Sequence, residues 1–157
     1  MPVLITPRLN CSPLQEEDWP FFLALQQHPD VMRFVAEDRP VAAIREAFDS
    51  RLTPWAPGSA HWLCLVVRDA ASRAPLGVTG YIHREEDCAE VGFLFAPEAQ
   101  GKGYGFESLK ALCDYAFHQG GIRRLTATVT AGNIASRRLL EKARFCLEGE
   151  LRESYYL

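Results

Sequence analysis

The chain has 157 residues, 48% hydrophobic and 24% charged, with a formal net charge of −3. That suits one folded domain with a full core and excludes a globally disordered chain. No Lys/Arg run exceeds two residues, which argues against binding along a nucleic-acid backbone.

No apolar run approaches the ~18 residues that cross a bilayer, and the start, Met-Pro-Val-Leu-Ile-Thr-Pro-Arg, carries no leader pattern. Five cysteines occur without a C-x-x-C, an odd number at wide spacing. This pattern predicts a reducing, cytoplasmic setting and no disulfide scaffold or zinc site. The acidic clusters Glu16-Glu17-Asp18 and Glu85-Glu86-Asp87 read as solvated turn and helix-start charges, or alternatively as a pull on a cationic substrate.

Residues 3–12 alternate as a first strand, which Pro7 and Pro13 mark as an edge or an interrupted one. Asp18 ahead of Trp19-Pro20 predicts an N-cap and a helix to about Gln27. His28-Pro29-Asp30 breaks it and opens a short turn through Phe34. Pro40 opens a helix over 41–52, with Ile44, Ala47, Phe48 and Leu52 on one face. Residues 61–68, 75–83 and 88–95 predict an antiparallel meander, its second turn at 84–87.

A glycine loop follows Pro97, then a helix over about 103–118 whose stripe is Phe106, Leu109, Leu112, Cys113, Ala116 and Phe117. Gly120-Gly121 stops it. Residues 123–130 form a strand with Leu125, Ala127 and Val129 on one side. Asn133 opens a short helix to about Lys142, and Phe145–Leu157 begins as a final strand. A strand–helix–strand unit over 88–130 requires a crossover, so the class is α/β, or α+β with a mixed sheet.

The loop Gln100-Gly101-Lys102-Gly103-Tyr104-Gly105 combines positive-φ residues with a helix mouth. Unpaired N–H groups and a partial positive charge meet there, a combination suited to phosphate. The sixth position from Gly101 is Phe106, which excludes the G-x-G-x-x-G dinucleotide fingerprint, and no G-x-x-x-x-G-K-[ST] string exists. Gln100, Gly103 and Gly105 fit Q/R-x-x-G-x-G/A instead. Asn133 and Ser136 read either as an N-cap with a first-turn polar residue or as ligand contacts.

Four stretches now carry a resemblance: Ala-Glu-Val-Gly-Phe at 89–93, Ala-Pro-Glu-Ala-Gln-Gly-Lys-Gly-Tyr-Gly at 96–105, Asn133-x-x-Ser136-Arg137-Arg138, and Phe145-x-Leu147-Glu148-Gly149. Together they resemble the acetyl-CoA half of the GNAT acyltransferases. Thr6-Pro7-Arg8-Leu9 is similar to the start of the RimJ/RimL-type branch. The resemblance implies a single GNAT-like domain over 1–157, with 1–60 on the acceptor side and 61–157 forming the sheet and cofactor half. Its central, mostly antiparallel sheet would be splayed at the cofactor, with helices on both faces.

The same resemblance implies that amides of Gly101 to Gly105 take the pyrophosphate of acetyl-CoA. Main-chain groups of Phe93, Leu94 and Phe95 would pair with its pantetheine arm, Asn133 would bond it further along, and Ser136 would lie near the sulfur. It implies no metal, and an amine acceptor that is a protein N-terminus, a polyamine or an antibiotic amine; monomer and homodimer both stay open.

Direct attack on a thioester asks for positioning and a neutral amine. An α-amine is neutral in roughly a tenth of molecules at pH 7, a lysine amine in about one in two thousand. Glu90 is the candidate base, by analogy with related enzymes, and otherwise an edge charge in a salt bridge. Ser136 is the candidate donor to the leaving thiolate; His61 and His83 are weaker alternatives. Two positions depart from the family pattern: Leu140 stands where many members carry a tyrosine acid, and Tyr155 where RimL-like proteins carry a glutamate. Members also add one more strand; without it a sheet edge would stay open, so either the sequence is truncated or a partner chain or another segment covers that edge. The altered positions leave open a CoA-binding module without catalysis, and a structural glycine loop would leave a plain interaction domain.

Overall fold

A computed structural model describes residues 2–32, 39–129, 133–149 and 153–156. Eight strands form one sheet in the order β1-β2-β3-β4-β5-β6-β8-β7. They are β1 (Leu4–Ile5), β2 (Leu9–Pro13), β3 (Leu63–Asp69), β4 (Pro75–Glu85), β5 (Cys88–Phe95), β6 (Arg124–Val129), β7 (Cys146–Gly149) and β8 (Glu153–Tyr156). The helices are α1 (Trp19–Gln27), α2 (Pro29–Met32), α3 (Val41–Leu52), α4 (Tyr104–His118) and α5 (Ile134–Lys142). Every pairing is antiparallel except β5 with β6. Alternation along β3 divides the core. Leu63, Leu65 and Val67 pack with α4 and Leu140 of α5 on one face, while Cys64 and Val66 pack with Phe22, Ile44 and Phe48 of α1 and α3 on the other.

Three expectations change. The first strand is two, because a tight turn at Pro7-Arg8 folds Leu4 back opposite Cys11. Asp18 does not cap α1 with its side chain. It is buried, accepts from the Gln15 N–H at 2.9 Å and pairs with Arg68 of β3, so the acid ties the helix entrance to the sheet. The last segment is a hairpin: Cys146 lies opposite Tyr156, and β8 sits between β6 and β7. The extra strand expected beyond the last one is thus found within 146–156. The expected turn through Phe34 runs outside the described residues.

Helix α3 shows how the second layer holds. Phe48 is fully buried and meets the Phe22 ring edge-on at 5.3 Å and the Trp19 ring at 5.2 Å. Phe48→Ala removes both contacts and is expected to cost about 3–5 kcal/mol. A lower urea midpoint at unchanged m-value checks it.

Candidate active site

Strands β5 and β6 pair only over Cys88–Glu90 against Arg124–Thr126. Beyond Glu90, β5 runs on to Phe95 beside β4, while β6 turns onto β8 through Thr126–Val129. The two strands therefore part in a fork. Ala96 donates its N–H to Leu76 of the β4 side at 2.9 Å. Ladder alternation then turns the main chain of Leu94 and Gly92 toward β4 and that of Val91, Phe93 and Phe95 into the fork. Leu94 is thereby withdrawn from the strand-like pairing expected of it. The Phe95 carbonyl is also engaged, accepting from the Gln100 side-chain amide at 3.1 Å. Gln100 braces the loop against the strand. The open edge is carried by Phe93.

The glycine loop lies at the end of β5. Gly101 and Gly103 have φ of 76° and 82°, and Gly103 is the N-cap of α4. Glu107 makes the first helical bond, to the Gly103 carbonyl at 3.1 Å, so the N–H groups of Tyr104, Gly105 and Phe106 precede any intrahelical partner. Gly101, Lys102 and Gly103 are exposed, and no atom lies within 4 Å of a Cβ built on Gly101. Gly105 has a different reason: a Cβ there would meet the Leu139 side chain at 3.0 Å, so it lets α5 pack against α4. An open helix mouth with aligned amides fits a diphosphate, and the fork beside it fits an extended arm.

Arg8, whose role composition and spacing did not reveal, holds this loop. Its Nε bonds Glu107 at 2.7 Å, its Nη1 donates to the Lys102 carbonyl at 3.0 Å, and its guanidinium lies 4.6 Å from the Tyr104 ring centroid. Thr6 donates its hydroxyl to the same carboxylate and accepts from the Leu9 N–H. Thr6-Pro7-Arg8-Leu9 therefore clamps the first turn of α4. The only signal in the sequence was its likeness to the start of the family branch.

The fork opens into a cavity of about 470 Å³ that crosses the sheet. Glu90, Asn133 and Ser136 all line it, Glu90 from β5, Ser136 from α5 and Asn133 from the N-cap of that helix. Glu90 bonds Arg84 at 2.9 Å through Oε1. The salt-bridge reading is thus realised, with Glu90 Oε2 free of partners among the described residues. Asn133 accepts from the Ser136 N–H at 3.2 Å, so its oxygen does cap α5 while its amide nitrogen remains for other contacts. Leu140 is fully buried and lines the same cavity, making an apolar wall where a tyrosine was the family expectation. Among the lining residues, hydroxyls come from Thr79, Thr128 and Ser136.

Several candidates fall elsewhere. His61 bonds the Thr53 carbonyl at 3.1 Å, His83 receives the Gly58 N–H at 3.3 Å, and neither lines the cavity. Trp55 and Tyr81 meet edge-on at 5.5 Å in the core and do not line the cavity, whereas Phe22 does. Cys64 lines the cavity, but burial pushes its thiol up to about 12, which keeps it protonated at neutral pH.

The clamp makes a pH prediction. Burial raises the Glu107 carboxyl, but the bonds from Thr6 and Arg8 outweigh it and hold the group below the ordinary range. A depressed carboxylate stabilises the fold above its unfolded pKa, near 4.5, and loses that contribution as pH falls through the folded value. Glu107→Gln is therefore expected to lower the melting temperature at pH 7, the gap closing below about pH 4. Arg8→Ala is expected to weaken CoA binding about fivefold, read by calorimetry, because the loop loses its brace.

Comparison with known proteins agrees with this geometry. The family model for the acetyltransferase (GNAT) domain matches residues 8–146. YnaD of Bacillus subtilis, an N-acetyltransferase by name, is 26% identical over 147 residues, covering 93% of this chain and 84% of that protein. An acetyltransferase structure from Agrobacterium tumefaciens superposes with a TM-score of 0.88 at 22% identity, covering 100% of this chain and 94% of the other. The spermidine N-acetyltransferase of Vibrio cholerae, solved in complex with CoA and spermine, gives 0.81 at 21% identity over 97% and 96%. With its parted strands and open helix mouth, the chain belongs to the GNAT family of acetyl-CoA-dependent N-acetyltransferases.

Proposed function

We propose that this chain passes the acetyl group of acetyl-CoA directly to a primary amine seated in the cavity, with Glu90 accepting the amine proton and Ser136 donating to the departing thiolate. The observation that carries this is the meeting of Glu90 and Ser136, from opposite sides of the fork, in one cavity. Bound acetyl-CoA supplies an activated acyl group, so the protein need only hold and orient it.

Amides of the glycine loop would hold the diphosphate, Phe93 would pair with the arm, and the Asn133 amide nitrogen would bond it near α5. Arg84 fixes one oxygen of Glu90 and leaves the other to take a proton, directly or through a water. Ser136 sits in the first turn of α5, where the helix mouth favours a developing thiolate. The protonated Cys64 argues against a covalent acyl-enzyme route. Relatives name amine acceptors, among them spermidine in Escherichia coli. Here the acceptor would be a protein N-terminal α-amine or a small-molecule amine.

The test is thiol release from acetyl-CoA across a panel of amines that includes N-terminal peptides. Glu90→Gln and Ser136→Ala are each expected to lower kcat by about 10²-fold or more while the Kd for acetyl-CoA stays within about threefold. Wild-type rates in both variants would remove the two roles. Binding without release to any amine would mark a non-catalytic acyl-CoA module.

A further inference from the structure

Charge in the cavity is distributed against the trend of the chain. The chain is formally −3 overall, yet among the described residues the charged side chains lining the cavity are Arg39, Arg51, Arg84 and one carboxylate, Glu90. Arg84 is committed to Glu90. The acidic clusters at 16–18 and 85–87 lie outside this cavity. Glu16 and Asp18 are taken up by Arg45 and Arg68 instead.

That leaves Arg39 and Arg51. Arg51 projects from the last turn of α3, half-buried, with its guanidinium 5.8 Å from the Phe22 ring centroid and 5.9 Å from that of Trp62. Its Nη1 donates to the Ala47 carbonyl of its own helix at 3.3 Å. Arg39 donates to Gln26. Among the described residues no carboxylate lies within ion-pair distance of either. Burial, and then repulsion from Arg39, lower the Arg51 pKa from its ordinary value. Trp62 also packs over Gly92 of β5, where a Cβ would lie 3.1 Å from its ring. Arg51 thus stands beside the strand that borders the fork.

Resting on the acetyl-transfer reading above, we infer that the acceptor is a small primary amine that also carries a carboxylate, with Arg51 and Arg39 binding the acid group and Glu90 facing the amine. A guanidinium pinned between two rings keeps its planar edge free for a carboxylate, and Arg is the side chain whose fork matches that group. A polyamine is disfavoured by the same arrangement, because its second ammonium would enter beside two arginines that have no carboxylate partner among the described residues. The cavity must also admit the acyl arm, which leaves room for an amino-acid-sized acceptor rather than a folded protein surface.

The experiment compares kcat/KM, corrected for the neutral-amine fraction, for amino acids, their amides, dipeptides with an acidic or amide second residue, and spermidine. Carboxylate-bearing amines are expected to lead their amides by at least about tenfold; the dipeptides tell a free amino acid from an acidic N-terminus. Arg51→Gln is expected to collapse that acid-over-amide ratio about tenfold through KM, with Arg51→Lys restoring part of it. Arg39→Gln gives the same readout from an exposed position should the first variant not fold.

Spermidine turned over as well as the acids, or an unchanged ratio in Arg51→Gln, overturns the inference and leaves acetyl transfer standing. If no amine releases thiol, the acetyl-transfer reading falls. The charge argument is then read by calorimetry on the CoA-bound protein: an N-acetyl amino acid should bind more tightly than its amide, and equal binding sinks it.

Discussion

Everything at the site follows from the departure of β6 from β5 after Thr126. Three residue pairs hold the two strands together, and then β6 exchanges this neighbour for β8. Buried main-chain groups ordinarily find partners. Here the inward-facing main chain of Phe93 is offered to whatever enters the fork. A continuous ladder would close the fork and the cavity that opens from it. The hairpin of β7 and β8 therefore matters to function, because β8 supplies the partner that lets β6 leave.

Around that opening the protein spends its charged side chains on positioning. Arg8, from the opposite end of the chain, braces the glycine loop through Glu107 and the Lys102 carbonyl. Arg84 holds Glu90 by one oxygen. Asp18 ties the entrance of α1 to β3 through Arg68, and Arg45 of α3 reaches Glu16. With these pairs made, Arg51 and Arg39 line the cavity without a carboxylate partner among the described residues, Arg51 held by rings and by its own helix. Two arginines on one cavity wall are the outcome, and an acidic sequence composition gave no hint of them.

Local order was legible because it is local. The stripe of α4 is buried at Leu109, Leu112, Cys113 and Ala116, and the alternation of β6 buries Leu125, Ala127 and Val129, as the 3.6- and 2-residue periods require. The glycine loop, the helix start at Asn133 and the family likeness were equally readable, since each depends on a few neighbouring residues. Errors fell where a distant partner outweighed the neighbours. Asp18 gave up its cap for an arginine 50 residues away. Leu94 shared a motif with Phe93, yet strand pairing turned its main chain to the other side. His83 stands on β4 next to cavity-lining Arg84, yet its ring packs against Trp55 and Tyr81 instead.

By itself the sequence determined the elements, the phosphate-type helix mouth and the membership in an acyl-CoA-using family, all of which rest on short-range spacing. Only the tertiary structure decided where along their length β5 and β6 part, that the last segment is a hairpin whose β8 lies between β6 and β7, and that Thr6-Pro7-Arg8-Leu9 braces a loop nearly a hundred residues away. The physical reason is the same in each case. Strand pairing and ion pairing join groups far apart along the chain, and no periodicity or motif within one segment encodes which distant group will be there.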